Sequence, residues 1–263
     1  MKNYKIPTLT IAGSDSSGGA GVQADLKTFS AIGTYGMSVI TAVTAQSTKG
    51  VFLVEELSEE IIKKQIEVVI DDIMPKAVKI GMVSSPEIIR IIVDTLKNYN
   101  IEYLVVDPVM ISKGGYSLLK PKAKKNLIEY LIPLSYLITP NVLEAEEITG
   151  MKIRNLEDMK EAGYKILELG PKYVLMKGGH LEGDAIDVLI GKDIFEVYKQ
   201  QRLNRKNTHG TGCTLSSAIT SYLALGYSIE ESVSLSKEYI TEAIRNSFDI
   251  GTGIGPVHHF YKF

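Results

Sequence analysis

The sequence has very little cysteine and no tryptophan: a single cysteine occurs among its 263 residues. One cysteine excludes an intrachain disulfide and is typical of proteins from a reducing compartment. No apolar run reaches the roughly 18 residues that predict a membrane-spanning helix. The N-terminal stretch also lacks the apolar core of a secretory signal. We therefore expect a cytoplasmic protein without a membrane partner.

The chain also lacks a dominant charge. Its 29 basic and 31 acidic residues leave a formal net charge of -2, which gives no bulk electrostatic reason to expect nucleic acid. The one basic cluster, KPKAKK at 120–125, is predicted to be the solvated face of an amphipathic helix. With 44% hydrophobic residues the chain can bury a substantial core, and its length fits one large α/β domain or two small ones.

Short apolar runs alternate with helical patterns along the chain. Strands are predicted at 7–13, 37–46, 77–82, 102–109, 136–141 and 172–179. Helices are predicted near 21–32, 58–73, 85–98, 120–131, 142–149, 155–169, 211–225 and 228–246. Strands rich in Val, Ile and Leu between helices predict a parallel sheet covered on both faces. AIDVLIG and IFEVYKQQRL predict an antiparallel hairpin at the sheet edge, and the absence of a linker predicts one domain over 1–263.

Unusual residues cluster after the predicted strands, where open α/β sheets bind ligands. The segments are GSDSSGGAG (13–21), QSTKG (46–50), GM (81–82), DPVMISKGG (107–115), TPNVLE (139–144) and MKGGH (176–180). Because the carboxyl ends of parallel strands meet at one edge of the sheet, these segments predict a single ligand site.

The segment 19–24 matches the G-x-G-x-x-A pattern of dinucleotide-binding proteins. That pattern also needs an acidic residue at the end of the second strand, and no Asp or Glu occurs from Leu26 to Val54. The dinucleotide interpretation therefore loses its second anchor. The glycines instead indicate a close approach of backbone to a small ligand. Asp15 and Asp25 add carboxylates nearby, although Asp15 equally fits a simple turn.

Asn141 and Glu144 lie three residues apart at a predicted helix start, so both side chains point to one side. Oxygen ligands at this spacing suit a Mg²⁺ ion that carries phosphates, usually through water. The same two residues also fit an N-cap and its capping-box partner, which is the favoured interpretation on these residues alone. Lys177 ends a buried strand and fits either a phosphate partner or a solvated strand end.

The segment NTHGTGCTLSSAI (207–219) runs from a glycine loop into a helix, whose first N–H groups favour an anion. No lysine follows the second glycine, so it is not the usual P-loop. A lone cysteine is usually a packing residue, but the first helical turn can lower the pKa of Cys213. His209 fits either a catalytic base or a residue that bonds backbone. The HH pair at 258–259 has no third metal ligand close by and is predicted to be structural.

Together these parts predict a phosphoryl-transfer site, which works mainly by positioning and charge stabilisation. It combines an anion hole, a lysine, an Asn/Glu pair suited to Mg²⁺ and a separate small-molecule pocket. The anion hole would consist of Gly210, Thr211, Gly212 and Cys213.

At this point the sequence resembles a known family. The segments that carry the resemblance are TIAGSDSSGGAGVQADLKTFSAIGTYGMSVITAVTAQST, KIGM, DPVM, TPNVLEAE, LMKGGH, NTHGTGCTLSSAI and GIGPVHHF. They resemble the hydroxymethylpyrimidine/phosphomethylpyrimidine kinases of thiamine biosynthesis, a family of the ribokinase-like superfamily, essentially from end to end. The resemblance implies a three-layer α/β sandwich with a mostly parallel sheet, helices on both faces and an antiparallel edge hairpin.

The resemblance also implies an ATP- and Mg²⁺-dependent kinase. It would phosphorylate 4-amino-5-hydroxymethyl-2-methylpyrimidine and then convert the monophosphate to the pyrophosphate. By the same resemblance Gln46 reads the pyrimidine edge. The pocket is completed by Gly13, Asp25, Met82 and Val109.

Further roles follow from the resemblance. Asn141, Glu144 and Lys177 would serve Mg²⁺ and ATP, and the backbone of 210–213 would bind the transferring phosphoryl group. Sugar kinases of the superfamily carry Asp where this family, and this chain, carries Cys213. Relatives commonly form dimers, so a homodimer is expected by resemblance only.

The resemblance supplies an alternative activity as well. A subgroup of these proteins are pyridoxal kinases that use the helix cysteine with a second cysteine after DPVM. Ser112 stands in that segment here, and a single cysteine makes the two-cysteine arrangement impossible. This favours the pyrimidine kinase and leaves a side activity on pyridoxal or pyridoxine open. The glycines of ISKGGYS (111–117) predict a flap that closes over ATP.

Overall fold

The chain forms nine strands and eight α-helices in a computed structural model that describes residues 5–111, 115–116, 118–179 and 183–263. The strands are β1 (Pro7–Asp15), β2 (Tyr35–Ser47), β3 (Gly50–Glu56), β4 (Ala77–Ile80), β5 (Tyr103–Val106), β6 (Leu137–Ile138), β7 (Tyr173–Lys177), β8 (Ala185–Gly191) and β9 (Phe195–Gln200). The helices are α1 (Gly21–Ile32), α2 (Glu59–Asp72), α3 (Pro86–Leu96), α4 (Pro121–Asn126), α5 (Val142–Thr149), α6 (Leu156–Leu167), α7 (Thr211–Ala224) and α8 (Ile229–Arg245).

The strands form one sheet in the order β3-β2-β1-β4-β5-β6-β7-β8-β9. The six central strands are parallel, from β2 through β1 to β7. The predicted hairpin β8–β9 is confirmed as an antiparallel pair at one edge. The opposite edge carries β3, which is antiparallel to β2 and was not predicted. None of its seven residues is fully buried, so it lacks the alternation of buried and exposed residues that identifies a strand.

Each side of the sheet is covered by helices, as the alternation along β5 illustrates. Leu104 and Val106 pack with α2, α3, α5 and α6 in one hydrophobic cluster. Val105, between them, belongs to a second cluster with α7 and α8. Successive side chains of a strand point to opposite faces, so this division confirms the predicted three-layer arrangement. Helix α1 packs beside α7 and α8, where Ala31 and Ile32 contact Ala218.

The helix that was predicted over 120–131 is interrupted. Helix α4 ends at Asn126, a π-helical turn follows over Leu127–Leu131, and a short 3-10 turn contains Pro133. Proline has no backbone N–H to donate, so the chain cannot continue as a regular helix through this point. The other predicted helices begin and end within a few residues of the observed ones.

Some predicted features fall outside the described residues. Ser112, Lys113, Gly114 and Ser117 of the predicted flap lie there, as does His180 of the MKGGH segment. Over the residues that are described, no helix is both long enough and apolar enough to cross a bilayer.

Candidate active site

The carboxyl edge of the parallel strands brings together four of the five predicted pocket residues: Gly13, Gln46, Met82 and Val109. They lie at the ends of β1, β2, β4 and β5, which are neighbours in the sheet. Gly13 and Met82 are in contact, because a Cβ on Gly13 would lie 3.0 Å from Met82 Sδ. The topology therefore places these four residues along one edge of the sheet although they are far apart in the sequence.

The fifth predicted pocket residue, Asp25, lies deeper and is fully buried on α1. Its carboxylate accepts hydrogen bonds from Lys79 Nζ at 2.8 and 2.9 Å. It also accepts from Thr10 Oγ1 and Ser217 Oγ, each at 2.6 Å. The expectation that Asp25 lines the pocket is not met in this arrangement. Asp25 is buried and accepts four hydrogen bonds, and it thereby connects α1 to β1, β4 and α7 beneath the site.

Two glycines let the loop after β1 pack against its surroundings. Gly21 has φ of 57°, and a Cβ there would collide with the carbonyl oxygen of Gly13. Gly210 has φ of 80°, and a Cβ there would collide with the carbonyl oxygen of Gly19. Side chains are excluded at both positions by conformation and by space. The sequence indicated an approach to a ligand, whereas these contacts are between backbone segments.

Asp15, at the end of β1, organises the loop that follows it. One carboxylate oxygen accepts from the backbone and hydroxyl of Ser17 at 2.8 and 2.7 Å. The other accepts from the N–H groups of Gly19 and Ala20 and from His209 Nε2, the last at 2.9 Å. Burial raises the pKa of this carboxyl, but the hydrogen bonds from His209 and Ser17 lower it more, to about 2. The predicted turn at Asp15 is therefore confirmed.

Gln46 lies next to this Asp15–His209 pair. Its side-chain amide is 3.2 Å from His209 Nε2, and its backbone is held by the hydroxyl of Ser16. The imidazole Nε2 of His209 lies against the side chains of Asp15 and Gln46, and the backbone N–H of His209 donates to the carbonyl oxygen of Gly255 at 3.0 Å. His209 thus joins the loop before α7 to the pocket edge.

Helix α7 begins without a side-chain cap. Its N-cap is Gly210, which has no side chain to accept from the first turn. The hydroxyl of Thr211 donates back to the carbonyl oxygen of Thr208 at 2.7 Å and so points into the loop. The first N–H groups of a helix have no acceptor within the helix and carry the positive end of its dipole. This is the arrangement expected of the predicted anion hole.

Lys177 lies against the first turn of α7. Its Nζ is 2.8 Å from Asp107 Oδ1, and a Cβ on Gly212 would lie only 3.4 Å from it. Burial lowers the pKa of Lys177, but Asp107 and Glu144 raise it more, so the ammonium stays charged. The side chain is 13% exposed, which excludes the alternative of a solvated strand end. A positive charge is therefore held beside the uncapped helix.

Asn141 and Glu144 form the predicted capping box of α5. Asn141 Oδ1 accepts from the N–H of Glu144 at 2.9 Å, and Glu144 Oε2 accepts from the N–H of Asn141 at 2.7 Å. Burial raises the pKa of Glu144 to about 7, opposed by Lys177 and reinforced by Asp107. Capping alone does not require a buried carboxyl. Glu144, Asp107 and Lys177 thus form a cluster of two acidic groups and one ammonium group.

Cys213 has its thiol in a setting that disfavours the thiolate. Burial raises the pKa of Cys213 to about 11. Lys79 and the N–H of Gly21 oppose the rise, whereas the carboxylates of Asp25 and Asp107 add to it. The lowering expected from the helix N-terminus is therefore outweighed, and the thiol is neutral at pH 7.

Two charged residues of this site, Asp107 and Lys79, are not identified by the sequence patterns. Asp107 begins the DPVM segment directly after β5 and holds both Lys177 and Ser216. Lys79 lies inside β4, where its neighbours are apolar and its side chain is fully buried. A lysine within a four-residue buried strand was the available signal, because such a charge requires a partner.

Comparison with known proteins assigns this arrangement to one group. A family model described as phosphomethylpyrimidine kinase matches residues 15–258. A hydroxymethylpyrimidine/phosphomethylpyrimidine kinase of Bacillus subtilis (strain 168) is 45% identical over 262 residues, which cover 99% of this chain and 96% of the relative.

The similar solved structures include a kinase of this family and a pyridoxal kinase. The crystal structure of phosphomethylpyrimidine kinase from Clostridium difficile 630 has 74% identity and a TM-score of 0.83, covering 91% of this chain and 100% of the other. A pyridoxal kinase from Staphylococcus aureus, in complex with AMP-PCP and pyridoxal, has 36% identity and a TM-score of 0.90. That match covers 98% of this chain and 94% of the other. The neighbours confirm the ribokinase-like fold.

Proposed function

The chain belongs to the phosphomethylpyrimidine kinase family, and from its site we propose how it carries out the reaction. It is a phosphotransferase of thiamine biosynthesis that uses ATP. It phosphorylates 4-amino-5-hydroxymethyl-2-methylpyrimidine and then the monophosphate. In each step a bond between the γ-phosphorus and its bridging oxygen breaks, and a bond to an oxygen of the pyrimidine substrate forms.

The observation that carries the proposed arrangement is the space in front of Gly212. The ammonium of Lys177 lies 3.4 Å from the position that a Cβ would take there, at the uncapped start of α7. Gly212 places no side chain of its own at this point, which lies beside the first backbone N–H groups of α7 and the Lys177 ammonium, with Asp107 Oδ2 3.5 Å away. We assign this point to the transferring phosphoryl group, whose developing charge such donors stabilise.

Mg²⁺ is part of this proposal, and the donors fit it. Glu144, Asn141 and Asp107 supply oxygen atoms, and burial raises the pKa of Glu144 to about 7 although Lys177 opposes the rise. No group of three His, Cys, Asp or Glu side chains forms a metal cage among the described residues. That suits Mg²⁺, which proteins usually hold through one or two carboxylates, water and substrate phosphates. Asn141 and Glu144 would hold it, and it would neutralise phosphate charge.

We assign Cys213 to the substrate hydroxyl. A loose transfer releases the hydroxyl proton late, so a strong base is not required. With a pKa of about 11 the thiol is neutral, which suits a hydrogen-bond partner and not a nucleophile. No phosphorylated enzyme intermediate forms.

We assign the ring of the substrate to the edge formed by Gly13, Gln46, Met82 and Val109. The Gln46 amide offers both a donor and an acceptor to an aminopyrimidine. The similarity to a pyridoxal kinase keeps a side activity on pyridoxal in the proposal. The absence of a second cysteine argues against pyridoxal as the main substrate.

We further propose that residues 1–263 form one domain, that the enzyme is cytoplasmic and that it is a homodimer. One sheet joins strands from Pro7 to Gln200, and α7 and α8 pack on it, which supports a single domain. ATP is present in the cytoplasm, which suits an ATP-dependent kinase. The dimer is supported by an exposed apolar face on β2 and β3, where Val43 and Leu53 are 46% and 63% exposed.

The proposed activity is tested by ADP release with four candidate acceptors side by side. These are the pyrimidine alcohol, its monophosphate, pyridoxal and ribose. We expect the two pyrimidines to give the highest kcat/KM, pyridoxal a low value and ribose none. Preference for pyridoxal over both pyrimidines would reverse the assignment of main and side activity.

A further inference from the structure

Three side chains from three separate segments meet beside the pocket. Asp15 ends β1, Gln46 lies near the end of β2, and His209 lies in the loop before α7. His209 Nε2 is 2.9 Å from Asp15 Oδ2 and 3.2 Å from the side-chain amide of Gln46. Asp15 is 3% exposed and His209 is 8% exposed, so neighbouring protein groups and not bulk water decide where the proton lies.

The proton of this pair lies on His209 Nε2. Asp15 is ionised, because its two oxygens accept hydrogen bonds from the hydroxyl of Ser17 and from the backbone N–H groups of Ser17, Gly19 and Ala20, which favour the charged form. An ionised carboxylate only accepts hydrogen bonds. At 2.9 Å from this acceptor, His209 Nε2 must therefore donate.

This proton determines which way the Gln46 amide faces. The single hydrogen on Nε2 faces both Asp15 Oδ2 and the amide, and a protonated Nε2 cannot accept from an amide nitrogen, so the amide oxygen belongs next to the imidazole. In the structure Gln46 Nε2 faces His209 and Gln46 Oε1 lies 3.3 Å from Thr44 Oγ1, so this orientation requires the two ends of the amide to be exchanged. The single hydroxyl hydrogen of Thr44 is donated to the carbonyl oxygen of Ser14 at 2.9 Å, which leaves this hydroxyl free to accept from the amide nitrogen. Both neighbours thus select one orientation.

We propose that His209, held by Asp15, is a positioning residue that fixes the Gln46 amide and thereby selects the substrate ring. The inference rests on the proposed function. With its inner contacts made to His209 and Thr44, the amide keeps one lone pair and one N–H for a ligand. An amino group next to a ring nitrogen, as in a 4-aminopyrimidine, complements that pair. Pyridoxal has no amino group beside its ring nitrogen.

The test is a double-mutant cycle with two substrates. The variants are His209→Leu, His209→Gln, Gln46→Leu and the double variant His209→Leu with Gln46→Leu. The substrates are the 4-aminopyrimidine alcohol and the analogue that lacks the amino group. The KM for ATP is measured throughout, and His258→Leu serves as the matched histidine control.

We expect His209→Leu to raise the KM for the aminopyrimidine about tenfold, which corresponds to the loss of roughly one hydrogen bond. The preference for the aminated substrate falls by a similar factor, and the KM for ATP stays unchanged. His209→Gln restores much of the preference, because its amide can donate where the imidazole did. In the Gln46→Leu background the change at His209 has no further effect. His258→Leu behaves as wild type.

Additive effects of His209→Leu and Gln46→Leu would overturn the inference. An equal rise in the KM for ATP would also overturn it. Either result indicates a general loosening of the loop. A wild-type protein that does not phosphorylate the pyrimidine at all overturns the proposed function itself. Nitrogen NMR of the wild type provides a readout without substitution. A hydrogen on His209 Nε2 agrees with the inference, and a bare Nε2 contradicts it.

Discussion

At the scale of single residues, Gly212 makes the most direct prediction about the anion site. A Cβ there would lie 3.4 Å from Lys177 Nζ and 3.5 Å from Asp107 Oδ2, both ordinary contact distances. Gly212→Ala therefore folds normally, but its methyl group occupies the space assigned to the phosphoryl group. We expect kcat to fall by about 10²–10³, as when an oxyanion donor is lost. Thermal unfolding and ADP release measure the two effects.

The matched control for Gly212→Ala is Glu230→Ala, at the corresponding position of α8. It should leave kcat unchanged. A Gly212→Ala enzyme of normal activity would show that the phosphoryl group lies elsewhere.

Cys213→Ala separates the thiol from the backbone donors around it. We expect kcat to fall at least tenfold, because the substrate hydroxyl loses a hydrogen-bond partner. Affinity for ATP stays nearly unchanged, because the anion hole is made of backbone. Cys213→Asp, which restores the residue of the sugar kinases, is expected to retain measurable activity. Single-turnover rates at saturating ATP and pyrimidine give the comparison, and an unchanged rate in Cys213→Ala would reduce the thiol to packing.

Glu144 links the site to pH-dependent stability. Its pKa rises from 4.5 to about 7 on folding, so the folded protein binds more protons than the unfolded chain between these values. The contribution of Glu144 to the free energy of unfolding is therefore highest below pH 4.5. It falls as the pH rises towards 7, by up to about 3 kcal/mol. Glu144→Gln keeps the capping-box geometry and removes the charge. Relative to this variant, the wild type without Mg²⁺ should lose stability between pH 5 and 7.

Urea unfolding of both proteins across this pH range measures the difference. Parallel stability curves would mean that Glu144 titrates normally. The same variant also separates the two roles of Glu144 in catalysis. If it holds Mg²⁺, Glu144→Gln raises the Mg²⁺ concentration needed for half-maximal rate although the helix cap is intact.

At the scale of elements, the buried Lys79–Asp25 pair ties the sheet to the helices behind the site. Both side chains are 0% exposed and 2.8 Å apart. Removing one partner leaves the other charge buried without a counter-charge. Lys79→Met or Asp25→Leu should therefore each lower the free energy of unfolding by about 3–5 kcal/mol. The double variant should cost clearly less than the sum, because no lone charge remains. Denaturant unfolding completes the cycle, and simple additivity would contradict a coupled pair.

Local patterns predicted most elements and failed where distant residues decide. The parallel strands, the β8–β9 hairpin and the capping box of α5 are visible within a few residues of sequence. Strand β3 was missed because its exposed residues carry no alternation. Lys79 and Asp25 are 54 residues apart, and His209 and Asp15 are 194 apart. Only the folded sheet brings such partners together, so those roles could not be predicted from spacing.

At the scale of the whole molecule, the exposed face of β2 and β3 predicts how two copies associate. Val43 and Leu53 lie on opposite strands, and Leu53 pairs with the exposed Ala45. An apolar face of this kind on an edge strand favours contact with a second copy. Leu53→Glu should convert the proposed dimer to a monomer in light scattering. Val197→Glu, on the opposite edge strand β9, is the control and should leave the mass unchanged.

A monomeric wild type would contradict the dimer and leave the catalytic assignment untouched, because every residue assigned to the site comes from one chain.

The central claim is that the γ-phosphoryl group moves directly from ATP to the pyrimidine while the start of α7 and Lys177 stabilise it. It is tested most directly by a single turnover with ATP radiolabelled on its γ-phosphorus, quenched at successive times and separated by product. We predict that label moves from ATP to the pyrimidine monophosphate and, when monophosphate is supplied, to the pyrophosphate, with none on the protein. Label that accumulates on the protein or only in inorganic phosphate would contradict the claim.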